Sequence, residues 1–264
     1  MYVEPIASPT GYYGKIPATG DFIKYNLPRA FIEPWDDWLQ TVLTFGRESM
    51  GAQWLEAYLT SPIYRFVLTP GICGESGWKG VVMPSVDRVG RYFPMTISKP
   101  IDSTANPFRH LLDHQDWFAK TEDLILSILE NSLGVSDLNL ALAELDKTDI
   151  SHTDIAELAT NSQTESSDHL AVREPLSENI PMGELYQTLL NTVLLETGFA
   201  YSLWSTKGSE TVSPSLLTSQ GLPPTKSVNA MLDGNWSRWG WLDNHTPITV
   251  INTVDTVEKD PWDR

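Results

Sequence analysis

The amino-acid sequence predicts a mixed α+β fold, with a mainly antiparallel β-sheet and helices packed on it. Short segments rich in Val, Ile, Phe, Tyr and Thr follow one another closely, with Gly and Pro between them. Amphipathic helical patterns stand on both sides of these segments. Connections this short suit antiparallel pairing, because a parallel crossover needs a dozen or more residues. With 41% apolar residues in 264, the chain can bury a large core.

Five segments are predicted as β-strands. Three of them are consecutive in the middle of the chain, and two lie near its end. The predicted strands are 64–72, 78–86, 91–101, 198–206 and 246–254.

Four segments are predicted as helices. The first predicted helix begins after Pro34. Its apolar residues have the i, i+3, i+4, i+7 spacing that places them on one helix face: Trp35, Trp38, Leu39 and Val42. The other predicted helices are 107–133, which starts with a proline, 182–196, and a short one within 227–243 that ends near Gly234.

The charge of the chain excludes several kinds of partner. Its 34 acidic and 18 basic residues give a formal net charge of −16, which disfavours binding to nucleic acid or to anionic membranes. The first residues do not show the basic stretch followed by an apolar stretch that is typical of a secretion signal. Cys73 is the single cysteine, which fits a reducing compartment. We therefore expect a cytoplasmic protein without membrane insertion. Acidic residues are concentrated in the middle of the chain, where residues 158–180 are predicted to form a long acidic loop.

Nucleotide-binding and nucleophile motifs are missing from the sequence. Neither a P-loop nor a G-x-G-x-x-G fingerprint occurs, and no cofactor is predicted. The string "GESGW" has Trp78 where a nucleophile elbow needs glycine, which disfavours Ser76 as a nucleophile. Because all five histidines lie far from Cys73 in sequence, a structural thiol is favoured there.

One histidine pair resembles a metal site. His110 and His114 are four residues apart on a predicted helix, with Asp113 and Asp116 beside them. The pair lacks a third ligand at a diagnostic spacing, so no metal is predicted. A metal-dependent hydrolase that uses His110 and His114 is kept as an alternative function.

The stretch "PSVDRVGRYFP", residues 84–94, combines charges with a glycine in turn-like sequence. Asp87, Arg88 and Arg91 allow two interpretations. They pin the turn through ion pairs and backbone hydrogen bonds, or they form a recognition surface for a carboxylate or phosphate on a partner. The stretch "GYYGKIPATGDFIKYNLP", residues 11–28, has a similar composition.

These two stretches carry a resemblance to a known family. Together with "FIEPWDDWLQ", "PGICGESGWKGVV", "GLPP" and "MLDGNWSRWGW", they resemble, in the right order, the TagF (ImpM) family of type VI secretion accessory proteins. The acidic middle of the chain matches no pattern of the family. The resemblance implies a TagF-type α/β domain over residues 1–135 and a helical and strand extension over 136–264 that packs on it.

The resemblance also implies a function. TagF proteins are cytoplasmic, non-enzymatic repressors that act after translation through the forkhead-associated scaffold protein Fha. Fha or another secretion component is therefore the expected partner; a structural accessory subunit and a homo-oligomer stay open. The predicted partner-binding residues are Lys15, Asp21, Ser85, Asp87, Arg88, Arg91 and Tyr92.

Overall fold

The structure is a computed structural model, and it describes residues 9–130, 133–148, 181–196 and 198–243. The predicted acidic loop at 158–180 and the predicted strand at 246–254 lie outside the described residues, as do three of the five histidines.

A seven-stranded sheet forms the centre of the fold, and every pair of neighbouring strands is antiparallel. Its spatial order is β2-β1-β5-β4-β3-β6-β7. The strands are β1 Gly11–Gly14, β2 Ile23–Tyr25, β3 Tyr64–Leu68, β4 Gly77–Met83, β5 Met95–Ile101, β6 Tyr201–Thr206 and β7 Ser215–Gln220. The predicted α+β class with an antiparallel sheet is confirmed.

Helices cover both faces of the sheet. They are α1 Arg29–Met50, α2 Trp54–Thr60, α3 Pro107–Asp113, α4 Gln115–Glu130, α5 Val135–Thr148, α6 Met182–Glu196 and α7 Val228–Asp233. Helices α1, α2 and α7 contribute to the core on one face, and α3, α4, α5 and α6 to the core on the other. The result is a three-layer arrangement of helix, sheet and helix.

Alternation along the central strands supplies both cores. On β3, Phe66 points toward α1 and Val67 toward α4, and both are fully buried. Trp35 of α1 packs against Phe66 with ring centroids 4.7 Å apart, and its Nε1 donates to Thr96 Oγ1 at 3.0 Å. Each such side chain contributes about 1.5–3 kcal/mol by leaving water. The predicted apolar face of α1 is therefore the face that packs on the sheet.

Buried basic side chains lie on the sheet face that α4 and α5 cover. Arg65 Nε and Nη2 donate to Glu122 Oε1 and Oε2 at 2.6 and 2.8 Å, and Lys99 Nζ lies 3.1 Å from Asp146 Oδ1. Lys79 stands opposite Lys99 in the strand register. Because an uncompensated buried charge is strongly destabilising, these pairs fix where α4 and α5 sit on the sheet.

The predicted strands at 64–72, 78–86, 91–101 and 198–206 exist, with shorter bounds. The third begins at Met95 instead of residue 91, because Pro94 cannot donate a ladder hydrogen bond. Strands β1, β2 and β7 were not predicted. With four and three residues, β1 and β2 are too short to show a clear alternation of apolar and polar positions.

Two helix predictions are corrected by the structure. The first helix begins at Arg29, so that Pro34 lies inside it. The segment 107–133 forms two helices instead of one, because the backbone leaves helical geometry at His114 (φ −99°, ψ 29°). Helices 182–196 and 228–233 are confirmed, the latter ending at Gly234. Helices α2 and α5 were not predicted, and the division at residue 135 stays a prediction.

A glycine of β4 tests the packing of the core that lies between the sheet and helices α1, α2 and α7. At Gly80, an added Cβ would overlap the Phe66 ring and lie 2.7 Å from Ile97 O. We expect Gly80→Ala to lower the free energy of unfolding by about 1–3 kcal/mol, measured by urea denaturation. The control is Gly183→Ala in α6, where a Cβ meets nothing within 4 Å. A Gly80→Ala protein as stable as the native one would contradict this packing.

Candidate functional site

The connection between β4 and β5 is a turn built around the carboxylate of Asp87. The backbone N–H of Gly90 donates to Asp87 O at 3.0 Å, and Gly90 has a φ of +84°, which glycine adopts without strain. Asp87 Oδ1 accepts from the backbone N–H groups of Val89 and Arg91 at 3.0 and 2.9 Å. The side chain thus takes the place of backbone acceptors and closes the turn.

Two cations meet the other oxygen of the same carboxylate. Asp87 Oδ2 lies 2.7 Å from Lys15 Nζ and 2.7 Å from Arg91 Nε. The Asp87 side chain is fully buried and that of Lys15 is 6% exposed, whereas that of Arg91 is 56% exposed. The buried charge is therefore compensated from two directions.

The surroundings of Asp87 keep it ionised. Burial raises the pKa of Asp87, but the hydrogen bonds from Lys15, Arg91 and the Val89 N–H outweigh burial and hold it well below its usual range. A carboxylate whose pKa lies far below physiological pH and whose oxygens accept from four donors is poorly suited to act as a general acid or base.

The loop between β1 and β2 packs directly on this turn. Ser85 Oγ donates to Lys15 O at 2.7 Å, and Arg88 N donates to Thr19 O at 2.8 Å. Arg91 Nη2 donates to Gly20 O. Residues 15–22 and 84–94, which we call the loop pair, thus form one hydrogen-bonded unit.

Helix α2 supports the loop pair from behind. Tyr58 Oη donates to Ser85 O at 2.9 Å and accepts from Ser85 N at 3.0 Å. Burial raises the pKa of Tyr58 well above its usual value, so its hydroxyl keeps its proton. Tyr92 packs edge-on against the rings of Tyr58 and Trp54, with centroids 5.8 and 5.9 Å away. The loop pair is therefore held to the helical layer.

The outward side of the loop pair exposes a mixed apolar and charged surface. Phe22 is 48% exposed and Val89 64% exposed, and Asp21 and Arg88 are exposed beside them. Phe22 packs edge-on against Phe93 with centroids 4.7 Å apart, and Lys15 Nζ lies 4.8 Å from its ring. We call Asp21, Phe22, Arg88 and Val89 the outer patch. Aromatic and arginine side chains on firm support are the residues that protein interfaces use as anchors.

The structure brings all seven predicted site residues together, but it gives them different positions. The buried ones are Lys15, Ser85 and Asp87, the partly exposed one is Tyr92, and the exposed ones are Asp21, Arg88 and Arg91. For Asp87 and Arg91 the turn-pinning interpretation agrees with the geometry, whereas Arg88 faces outward. The predicted partner-binding residues did not include Phe22, Val89 or Tyr58; the signal for the first two was an apolar side chain inside a glycine-rich turn.

The two histidines of the metal hypothesis lie at the junction of α3 and α4. Their rings stack with centroids 4.6 Å apart. Lys79 Nζ lies 3.2 Å from His114 Nδ1 and 4.5 Å from the centroid of the Trp117 ring. A lysine ammonium this close repels a metal cation. Within the described part of the chain, no three His, Cys, Asp or Glu side chains are grouped so as to hold a metal.

Cys73 lies in the core between the sheet and helices α1, α2 and α7. It is buried, Trp78 Nε1 donates to its carbonyl oxygen at 2.9 Å, and burial raises the pKa of its thiol to about 12. The thiol is therefore neutral and poorly nucleophilic. Ser76 is exposed in the connection between β3 and β4.

Residues 11–145 match the TagF N-terminal domain, which is type VI secretion system-associated. The chain belongs to the TagF family. Its fold is similar to the crystal structure of PA0076 from Pseudomonas aeruginosa PAO1, with a TM-score of 0.68 and 33% sequence identity. That similarity covers 90% of this chain and 98% of PA0076. No curated protein matches this TagF-family chain. None of its described helices is long and apolar enough to cross a membrane.

Substitution of Asp87 tests the central interaction through its pH dependence. The folded-state pKa of Asp87 lies below the unfolded value of about 3.9, so its stabilisation is present above that pH and lost as the pH falls toward the folded pKa. We expect Asp87→Asn to lower the free energy of unfolding at neutral pH, because Lys15 loses its buried partner. The difference from the native protein should shrink on acidification below about pH 4.

The measurement is urea denaturation of both proteins between about pH 7 and pH 3. Asp21→Asn is the matched control, since the Asp21 side chain is fully exposed. A difference between native protein and Asp87→Asn that stays constant over this range would refute the role of the charge.

Proposed function

We propose that this TagF-family protein is a non-enzymatic, cytoplasmic regulator that represses type VI secretion after translation by binding a component of the secretion apparatus. The forkhead-associated scaffold Fha is the first partner to test. Family membership supports an accessory or regulatory role in type VI secretion. The outer patch supports a binding mode.

The observation that carries the proposal is the contrast between the two sides of the loop pair. Behind it, Asp87 uses both oxygens on the protein's own donors, and Ser85 is bonded to Tyr58. In front, Phe22 and Val89 remain exposed. Such a preorganised surface loses little conformational entropy when a partner binds, which favours recognition.

The charge of the outer patch indicates what the partner presents there. The patch has two charged side chains: Asp21 lies 4.0 Å from Arg91 Nη2, whereas Arg88 is exposed and forms no ion pair with a described residue. Guanidinium groups bind carboxylates and phosphates in a planar, bidentate manner. We propose that the partner contributes an acidic group to Arg88 and an apolar side chain to Phe22 and Val89.

The chemistry of the described residues supports a function without catalysis. Asp87 stays charged with four donors, and burial keeps the Cys73 thiol neutral. The stacked histidines share their site with a lysine. None of these groups is arranged as a general base beside a nucleophile.

Two outer-patch variants test binding directly. We expect Arg88→Glu to weaken the binding of purified Fha by at least about tenfold and Val89→Asp to do the same, with unchanged melting temperatures. Calorimetric titration measures the affinity. Lys147→Glu is the matched control, because Lys147 is a 71% exposed cation on α5. Equal affinities for all four proteins would exclude the outer patch.

Charge reversal at Arg91 has a different expected result. Arg91→Glu places a second carboxylate beside the buried Asp87, so we expect the melting temperature to fall by about 5 °C or more. Thermal unfolding followed by circular dichroism measures this difference. If Arg88→Glu lowers the melting temperature as much as Arg91→Glu, the assignment of Arg91 to the turn and Arg88 to the surface is wrong.

Secretion assays separate a repressor from a structural subunit. We expect overexpression to reduce effector release and deletion of the gene to maintain or raise it. Loss of secretion on deletion would instead indicate a structural subunit. The Arg88→Glu protein should fail to repress when it is produced at the native level.

A further inference from the structure

A cavity of about 420 Å³ lies between the ends of β6 and β7 and the helices α3, α4 and α6. This volume falls in the range of sites that hold small molecules. Its walls are mainly apolar and include Phe108, Leu111, Leu112 and Leu216. Two of these apolar side chains, Leu112 and Leu216, are 53% and 66% exposed, so part of the wall faces solvent.

The charged residues that line this cavity are both cations. Arg65 of β3 is 6% exposed, and Lys207 follows β6 with its side chain 75% exposed. No carboxylate from the described part of the chain lines the cavity. An apolar cavity with a buried guanidinium and an exposed ammonium beside it is suited to a ligand with an acidic group.

The guanidinium of Arg65 has N–H donors that its hydrogen bonds within the protein do not use. Its Nε and Nη2 donate to Glu122, and its Nη1 donates to Gln115 Oε1 at 2.5 Å. These bonds use three of the five N–H donors of a guanidinium. The remaining N–H groups on Nη1 and Nη2 have no partner among the described residues, although Arg65 is almost completely buried.

Glu122 does not neutralise both cations. It accepts from Arg65 and, at 2.7 Å, from Lys207 Nζ, so two positive charges share one negative charge. Burial raises the pKa of Glu122, but the hydrogen bonds from Arg65 and Lys207 outweigh burial and lower it, which keeps the carboxylate ionised. The three groups together carry a net charge of about +1.

We propose that this cavity binds a small anionic amphiphile, a molecule with a carboxylate on an unbranched apolar chain. The apolar chain packs against Phe108, Leu111 and Leu112. The carboxylate reaches the spare donors of Arg65 and the ammonium of Lys207. The net charge of −16 on the whole chain opposes binding of an anion only weakly, because charges beyond about 8 Å are screened at physiological salt.

The test uses decanoate as the anionic probe and decanol as its neutral counterpart. Calorimetric titration with the full chain should show saturable binding of decanoate, with a Kd on the order of 1 mM or below. Leu216→Trp fills the cavity from an exposed position, so the fold should survive, and we expect decanoate affinity to fall at least about tenfold. The control is Leu140→Trp on α5, where Leu140 is 72% exposed.

The acidic group is tested separately at Lys207. We expect Lys207→Gln to weaken decanoate binding by about fivefold and to leave decanol binding unchanged, with thermal unfolding as the check on the fold. No saturable decanoate binding, or binding that Leu216→Trp leaves unchanged, overturns the cavity as the site. Equal effects of Lys207→Gln on decanoate and decanol overturn the recognition of the anion. Fha binding should be unaffected by all these variants. The result of the decanoate test is therefore independent of the result for the outer patch.

Discussion

Coverage of both faces of the sheet is the constraint on which the rest of this structure depends. Charged side chains on the central strands have little access to solvent, so each must find its partner within the protein. Arg65 reaches Glu122 of α4, and Lys99 reaches Asp146 of α5. At the end of β4 the same requirement is met by Asp87, whose carboxylate is the acceptor that Lys15 needs. The ionic contacts thus set the positions of helices and loops that apolar packing alone leaves adjustable.

The stretch at 84–94 combines a structural and an exposed role in neighbouring residues. Asp87 and Arg91 hold the turn, while Arg88 and Val89, between them, face outward. A partner that contacts the exposed residues meets a backbone whose hydrogen bonds are already formed. This division lets one short segment both close the connection between β4 and β5 and present side chains to solvent.

Much of the fold could be predicted from the sequence, because its signals were local. The i, i+3, i+4 pattern around Trp35 and the β-rich segments of the central meander depend only on nearby residues. Strands β1 and β2 could not be predicted, since both are short, β1 is stabilised by pairing with the distant β5, and β2 pairs in turn with β1. Lys15 and Asp87 were both predicted as site residues, because they lie in stretches of similar composition. Their contact could not be predicted, because it depends on the order of the strands in the sheet. The exposed side of the loop pair required the structure, because exposure is a property of packing.

The position of β3 has a consequence for synthesis of the chain on the ribosome. One edge of β3 pairs with β4, which follows it closely, but the other pairs with β6, which is translated much later. Until residues 201–206 emerge, Phe66 and Val67 belong to an open strand edge that is able to pair with a foreign strand. That edge of β3 therefore lacks its β6 partner while about half of the 264 residues are translated.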